Sequence, residues 1–152
     1  MKVIKASTED VLFIYHMIDE YAKKGIVLPR TLSSINQHLD NMYVVKDTNQ
    51  VIGVAGLHVI GSDIAEIRSL VVKQNYQNKG IGRKLVNHII KESSNFGIKR
   101  LISLTYQVEF FNKSGFHIIE KENLPEKVWI DCINCPKFNH CDEIAMIKYL
   151  TD

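Results

Sequence analysis

Cysteine is scarce, and the three present, Cys132, Cys135 and Cys141, stand within ten residues of one another. An odd number so confined cannot make a complete disulfide framework and suits a reducing compartment. Excess charge of one sign is also lacking: 19 Lys and Arg face 17 Asp and Glu, a net +2. That surplus is too small and too evenly spread to imply a nucleic-acid or anionic-membrane partner. No long apolar run exists; the most apolar stretch, residues 51–60, is far short of a membrane span of about 20 residues. The amino terminus meets Glu9 and Asp10 too early for a signal-peptide core. A soluble, cytoplasmic protein is therefore expected. The 45% hydrophobic and 24% charged fractions exclude a disordered chain. A chain of 152 residues suggests one compact domain, 1–152, with a core that needs no metal or disulfide.

The patterning that is present alternates between two periods. Ser7 and Asp10 give a capping signal for a helix to about Lys24, with Val11, Ile14, Tyr15, Ile18 and Tyr21 as its apolar stripe. Gly25 stands at its expected left-handed stop. A second short helix is expected from Thr31 or Ser33 to about Asn41. Residues 43–45 and 51–60 read as a hairpin around Asp47-Thr48-Asn49-Gln50, and residues 64–72 as a third antiparallel strand. From Gly80 the period becomes helical, through Ile81, Leu85, Val86, Ile89 and Ile90. Residues 101–104 read as a buried strand parallel to its neighbour, residues 108–113 as a brief helix, and residues 116–120 and 144–150 as closing strands. A long loop, 121–142, holds two prolines and every cysteine. The order predicts an α+β sandwich.

The sharpest signal is Gln77-Asn78-Lys79-Gly80-Ile81-Gly82, between a strand end and a helix start. Glycines there let the main chain approach a ligand, and exposed amides at a helix amino terminus favour an anion. Lys79 and Arg83 add positive charge. The pattern suits a pyrophosphate cradle, although a glycine turn that merely starts a helix has the same letters. It is not a P-loop, because Lys79 precedes its glycine. It is not a dinucleotide fingerprint, because Leu85 stands where a third glycine is needed.

These residues resemble the GNAT acetyltransferase superfamily, whose acetyl-coenzyme A motif is Gln/Arg-x-x-Gly-x-Gly/Ala. The likeness runs from Ala65-Glu66-Ile67 through Leu70-Val71-Val72 to Leu85, and resumes at Phe111-Asn112-Lys113-Ser114-Gly115-Phe116. The resemblance implies a three-layer α/β/α sandwich, with a mixed, mostly antiparallel sheet splayed between the fourth and fifth strands. It implies acetyl-CoA as co-substrate, with the backbone of Leu70, Val71 and Val72 pairing to pantetheine. Residues Gln77, Asn78, Lys79, Gly80, Ile81, Gly82 and Arg83 would hold the pyrophosphate. Phe111, Asn112 and Lys113 would form a second cofactor segment.

Acetyl transfer to nitrogen requires a neutral amine, so a base must accept a proton. The resemblance offers Glu66, four residues (on the order of 13 Å) before Leu70, which favours a water relay over direct contact. The alternative for Glu66 is an outward carboxylate paired to Arg68 on the same face. Phe111 occupies the place where many members carry the tyrosine that protonates the leaving thiolate. Tyr106 is the nearest hydroxyl that would substitute, and it also fits a wall of the substrate pocket.

Residues 104–106, 109–111 and 25–30 resemble the catalytic domain of amino-acid acetyltransferases of the N-acetylglutamate synthase type. The resemblance implies that Arg30 binds an amino-acid carboxylate, a pairing that suits a guanidinium fork. Two features of those enzymes are missing: an amino-acid-kinase domain, and a carboxy-terminal Arg-x-Ser element, where this chain reads Asp142-Glu143-Ile144-Ala145-Met146. The expected function is transfer of acetyl to the primary amine of a small molecule, an amino acid first, by a monomer or homodimer. A protein lysine or amino-terminal acetyltransferase and a non-catalytic acyl-CoA sensor are the alternatives. Cys132, Cys135, His140 and Cys141 have donor types that suit zinc, but adjacent His140 and Cys141 chelate one ion poorly, so free thiols are expected and no metal is assigned. His16, His38, His58, His88 and His117 read as surface or packing residues, and Trp129 as an anchor for the long loop.

Overall fold

A computed structural model describes residues 1–124 and 143–150. Its strands are β1 (Val3–Lys5), β2 (Met42–Asp47), β3 (Gln50–Val59), β4 (Ile64–Val72), β5 (Arg100–Thr105), β6 (His117–Ile118) and β7 (Ile144–Tyr149). Its helices are α1 (Val11–Lys23), α2 (Leu32–Gln37), α3 (Ile81–Asn95) and α4 (Val108–Lys113). The sheet order is β1-β2-β3-β4-β5-β7-β6. Among the described residues, contacts divide into two units: Met1–His58 with Ile67–Glu92, and Val59–Glu66 with Ser93 onward.

In the first unit, α1 buries Val11, Ile14, Met17, Ile18 and Tyr21, so the apolar stripe is as expected except that Met17 replaces half-buried Tyr15. The chain enters α1 through a 3-10 turn, Thr8–Asp10, where the Asp10 carboxylate accepts from the Ser7 N–H at 2.9 Å and its hydroxyl at 3.1 Å. Thr31 caps α2 by accepting the Ser34 N–H at 3.0 Å, and a 3-10 turn, not more α-helix, fills Leu39–Asn41. The hairpin turn carries Thr48 and Asn49 at φ 51° and 67°, the left-handed pair that matches strand twist. Gly53 lets α3 approach β3: a Cβ there would lie 3.0 Å from Ile81 Cγ2 and 3.2 Å from Leu85 Cδ1. The start of α3 is thereby fixed against the sheet by an absent side chain.

The second unit centres on Ile64, Ile102, Leu124, Ala145 and Ile147. The Asp63 carbonyl accepts the N–H groups of Lys99 and Arg100 at 2.8 and 2.9 Å, which sets the register of the parallel β4–β5 pair. That ladder comprises Ile64↔Arg100, Ala65↔Leu101 and Glu66↔Ile102. β4 continues to Val72 beyond it, while β5 pairs along its whole length with β7.

Two expectations need correction. Residues 3–5, read only as part of a terminus, form β1 against β2. Their short, exposed pattern carries no alternation, so only pairing to β2 defines the strand; with it, residues 64–72 become the fourth strand rather than the third. The strand expected over 116–120 shrinks to His117–Ile118, because Phe116 turns into the core and Gly115 holds φ 94°. Residues 125–142, including the three cysteines, His140 and Trp129, lie outside the described residues.

Candidate active site

The loop after β4 is built from the main chain outward. Gln74–Tyr76 forms a 3-10 turn, and then Asn78 and Gly80 take φ 63° and 83° before α3 opens at Ile81. The first bond of the helix register is Lys84 N–H to the Gly80 carbonyl, 3.0 Å. The first N–H groups of a helix have no acceptor within it, a state that favours an anion at the start of α3. Gln77, Asn78, Lys79 and Gly80 are exposed, so the loop faces solvent.

Side chains brace this loop at both ends. The Val72 carbonyl accepts from Tyr21 Oη at 3.1 Å and from Gln77 Nε2 at 3.0 Å, and Gln77 Nε2 also lies 3.4 Å from Tyr21 Oη. Burial, with the charge of Glu20 behind it, pushes the Tyr21 phenol up, so it stays a donor. Tyr76 Oη donates to Asp47 Oδ2 at 2.6 Å, tying the loop to the β2–β3 hairpin. That hydrogen bond, with a second from Thr48, holds the Asp47 carboxyl below its ordinary range. Lys79 Nζ sits 5.8 Å over the Tyr76 ring. Within β4, Ser69 holds φ 56°, a left-handed residue in mid-strand. No sequence signal marked it, since serine has no special ease there; such strain concentrates at functional sites.

A second feature of the same unit is a cleft bordered by Arg30, Ser34, His38, Gly56, His58 and Arg68. Ser34 Oγ accepts from Arg30 Nη2 at 2.9 Å and Nε at 3.3 Å, so Ser34 takes the Nε–Nη2 edge of the guanidinium. One edge of the Arg30 guanidinium is thus engaged by serine. Gly56 backs the cleft: a Cβ there would be 3.9 Å from Arg30 Nη1. His38 Nδ1 lies 2.9 Å from the Ser34 carbonyl, which only accepts, so Nδ1 carries the proton. Burial first, then the charge of Arg68, lowers the Arg30 pKa. In the sequence His38 and His58 read as surface or packing residues, and Arg68 only as a partner for Glu66. Their meeting at one cleft depends on which loop, helix and strands border it, which no spacing reveals.

The remaining expected site residues fall as follows. Glu66, within β4, is buried at 6% exposure. Tyr106, just past β5, is exposed. Phe111 is buried, its ring 5.1 Å from those of Phe110 and Phe116, and so serves the core. Asn112 and Lys113 are exposed on α4. Among the described residues, no group of three or more His, Cys, Asp or Glu is placed to hold a metal, and no helix is long and apolar enough to cross a membrane.

Comparison with known proteins agrees with this geometry. The model of the acetyltransferase (GNAT) family matches residues 11–116. An uncharacterized N-acetyltransferase from Chlorobaculum tepidum is 40% identical over 148 residues, covering 97% of this chain and 96% of the relative. An amino-acid acetyltransferase from Mycobacterium tuberculosis is 32% identical over 121 residues, covering 78% and 69% respectively. The solved N-acetylglutamate synthase from Neisseria gonorrhoeae, complexed with coenzyme A and N-acetyl-glutamate, superposes with a TM-score of 0.90 at 25% identity. It covers 99% of this chain, which spans 35% of that longer one. The chain belongs to the acetyltransferase (GNAT) family, an N-acetyltransferase by its fold and its sequence relatives.

Proposed function

We propose that this N-acetyltransferase moves acetyl from acetyl-coenzyme A to the primary amine of a free amino acid. The observation that carries the reading is the pair of sites on the first unit: an exposed left-handed loop opening α3, and a cleft bordered by two arginines. The loop suits a pyrophosphate, through the amides of Asn78 to Arg83. The cleft suits a carboxylate. The relatives named above add support, being amino-acid acetyltransferases in one case and bound to coenzyme A in the other.

The chemistry follows from charge. At neutral pH the acceptor is an ammonium ion without a lone pair, and Glu66 accepts its proton through a water. The neutral nitrogen attacks the thioester carbonyl, the tetrahedral adduct releases the nitrogen's second proton to water and collapses, the C–S bond breaks and coenzyme A leaves as thiolate. A thiol of pKa about 8.5 is a tolerable leaving group near neutrality, so turnover does not require the missing tyrosine at position 111. Tyr106 is the hydroxyl proposed to return a proton to sulfur. Leu70, Val71 and Val72 are proposed to pair with pantetheine, and Asn112 and Lys113, with the backbone of Phe111, to add the second cofactor segment.

Thiol release with free amino acids and matched amines, in wild type and Glu66→Gln, tests the reading. Glu66→Gln is expected to lower turnover most at low pH, where the amine needs the base, and least where the amine is already neutral. Turnover equal to wild type across the pH range removes Glu66 from this role.

A further inference from the structure

This inference rests on the amino-acid reading above and concerns how the acceptor is chosen. Arg30 comes from the loop after α1 and Arg68 from β4, and both border the cleft that Gly56 leaves open. The backbone of Arg68 is close as well: a Cβ on Gly56 would meet its carbonyl at 3.4 Å. A carboxylate is held best by two parallel charge-assisted N–H donors. Arg30 commits its Nε and Nη2 to Ser34 Oγ, at 3.3 and 2.9 Å, with Nη2 also 3.5 Å from the Ser34 carbonyl. His38 Nδ1 approaches Nη2 to 3.4 Å and crowds that end further. Nη1, turned toward Gly56, is the nitrogen this geometry presents to a ligand.

We infer that Arg68 is a specificity-determining residue that shares the acceptor's carboxylate with Arg30, each guanidinium donating to one oxygen. The electrostatics favour this sharing. Burial lowers the pKa of Arg30, and the charge of Arg68 lowers it further, so the two cations repel across the cleft. A bound carboxylate adds an opposite charge beside both cations, whereas a neutral carboxamide in the same place does not. The cleft therefore selects an anionic acceptor over its uncharged counterpart, and Ser34 acts as the positioning residue that turns Arg30 to the shared geometry.

The test compares each amino acid that wild type acetylates with its own carboxamide, in Arg68→Met, Arg68→Lys, Arg30→Met and the Arg30→Met/Arg68→Met pair. Coenzyme A affinity, measured by calorimetry, reports folding. Arg68→Met is expected to raise KM for the amino acid about tenfold at nearly constant kcat, with the carboxamide nearly unaffected. Arg68→Lys recovers part of the loss, because it restores charge without the fork. The double variant loses less than the product of the single losses, because both residues hold one group. Equal KM changes for amino acid and carboxamide, or multiplicative losses in the double variant, overturn the inference and leave acetyl transfer intact. Wild type that releases no thiol with any amino acid overturns the inference and the proposed function together.

Discussion

Alanine at Gly80 places a Cβ on a backbone held at φ 83°, a conformation that costs an L-residue about 1–2 kcal/mol. Nothing lies within 4 Å of that Cβ, so the substitution adds no clash and the whole penalty is conformational. The loop is exposed, and an alanine there relaxes locally toward negative φ instead of unfolding the chain. Coenzyme A then meets a loop whose competent conformer is a minority, and the apparent affinity falls by that fraction. A penalty of about 1–2 kcal/mol corresponds to a loss of about 5–30-fold. Gly97 is the matched control: it holds φ 80°, also with nothing within 4 Å of an added Cβ, but it follows the carboxy-terminal end of α3. Gly97→Ala is expected to lower stability by about 1–2 kcal/mol in urea and leave coenzyme A affinity unchanged. Calorimetric titration of both variants with coenzyme A reads the difference. Wild-type affinity in Gly80→Ala, or equal weakening in both variants, refutes the cradle.

Two further expectations follow from buried polar contacts. Lys46→Met removes an ion pair in which Lys46 Nζ lies 2.8 Å from Asp10 Oδ1, with the Asp10 side chain 3% exposed, and should cost about 1–3 kcal/mol. Burial pushes the Asp10 carboxyl up, but hydrogen bonds from Lys46 and Ser7 outweigh it and hold the pKa below 3.8; the hydrogen bond to Asp10 raises Lys46 above 10.5. The pair's contribution is thus full between those two values, lost on acidification through the folded Asp10 pKa and lost on alkalinisation through the folded Lys46 pKa. A stability gap between wild type and variant that stays constant when acid is added contradicts this. Tyr21→Phe deletes the hydroxyl on the Val72 carbonyl and should cost about 1 kcal/mol while weakening coenzyme A binding. Urea unfolding and titration check both, and wild-type values in the two assays reject the brace.

Much of the architecture was legible in the amino acids because period and punctuation are local properties. The three-and-four spacing of Ile14, Ile18 and Tyr21 and the glycines at 25 and 80 named their elements, and those glycines do take positive φ. The loop at residues 77–82 was legible for the same reason, since a left-handed turn before a helix needs its glycine in one place. Tertiary structure decided what locality cannot encode. β1 exists because β2 offers it a partner, Phe111 is a core ring because Phe110 and Phe116 surround it, and Ser69 is strained within β4. Above all, Arg30, His38, His58 and Arg68 come from a loop, a helix end and two strands, and their shared cleft forms where Gly56 supplies no side chain to fill it. Sequence determines which groups are available and the local shape of the chain; only packing brings distant charges to one side of a sheet, because the burial that drives folding is indifferent to their order along the chain.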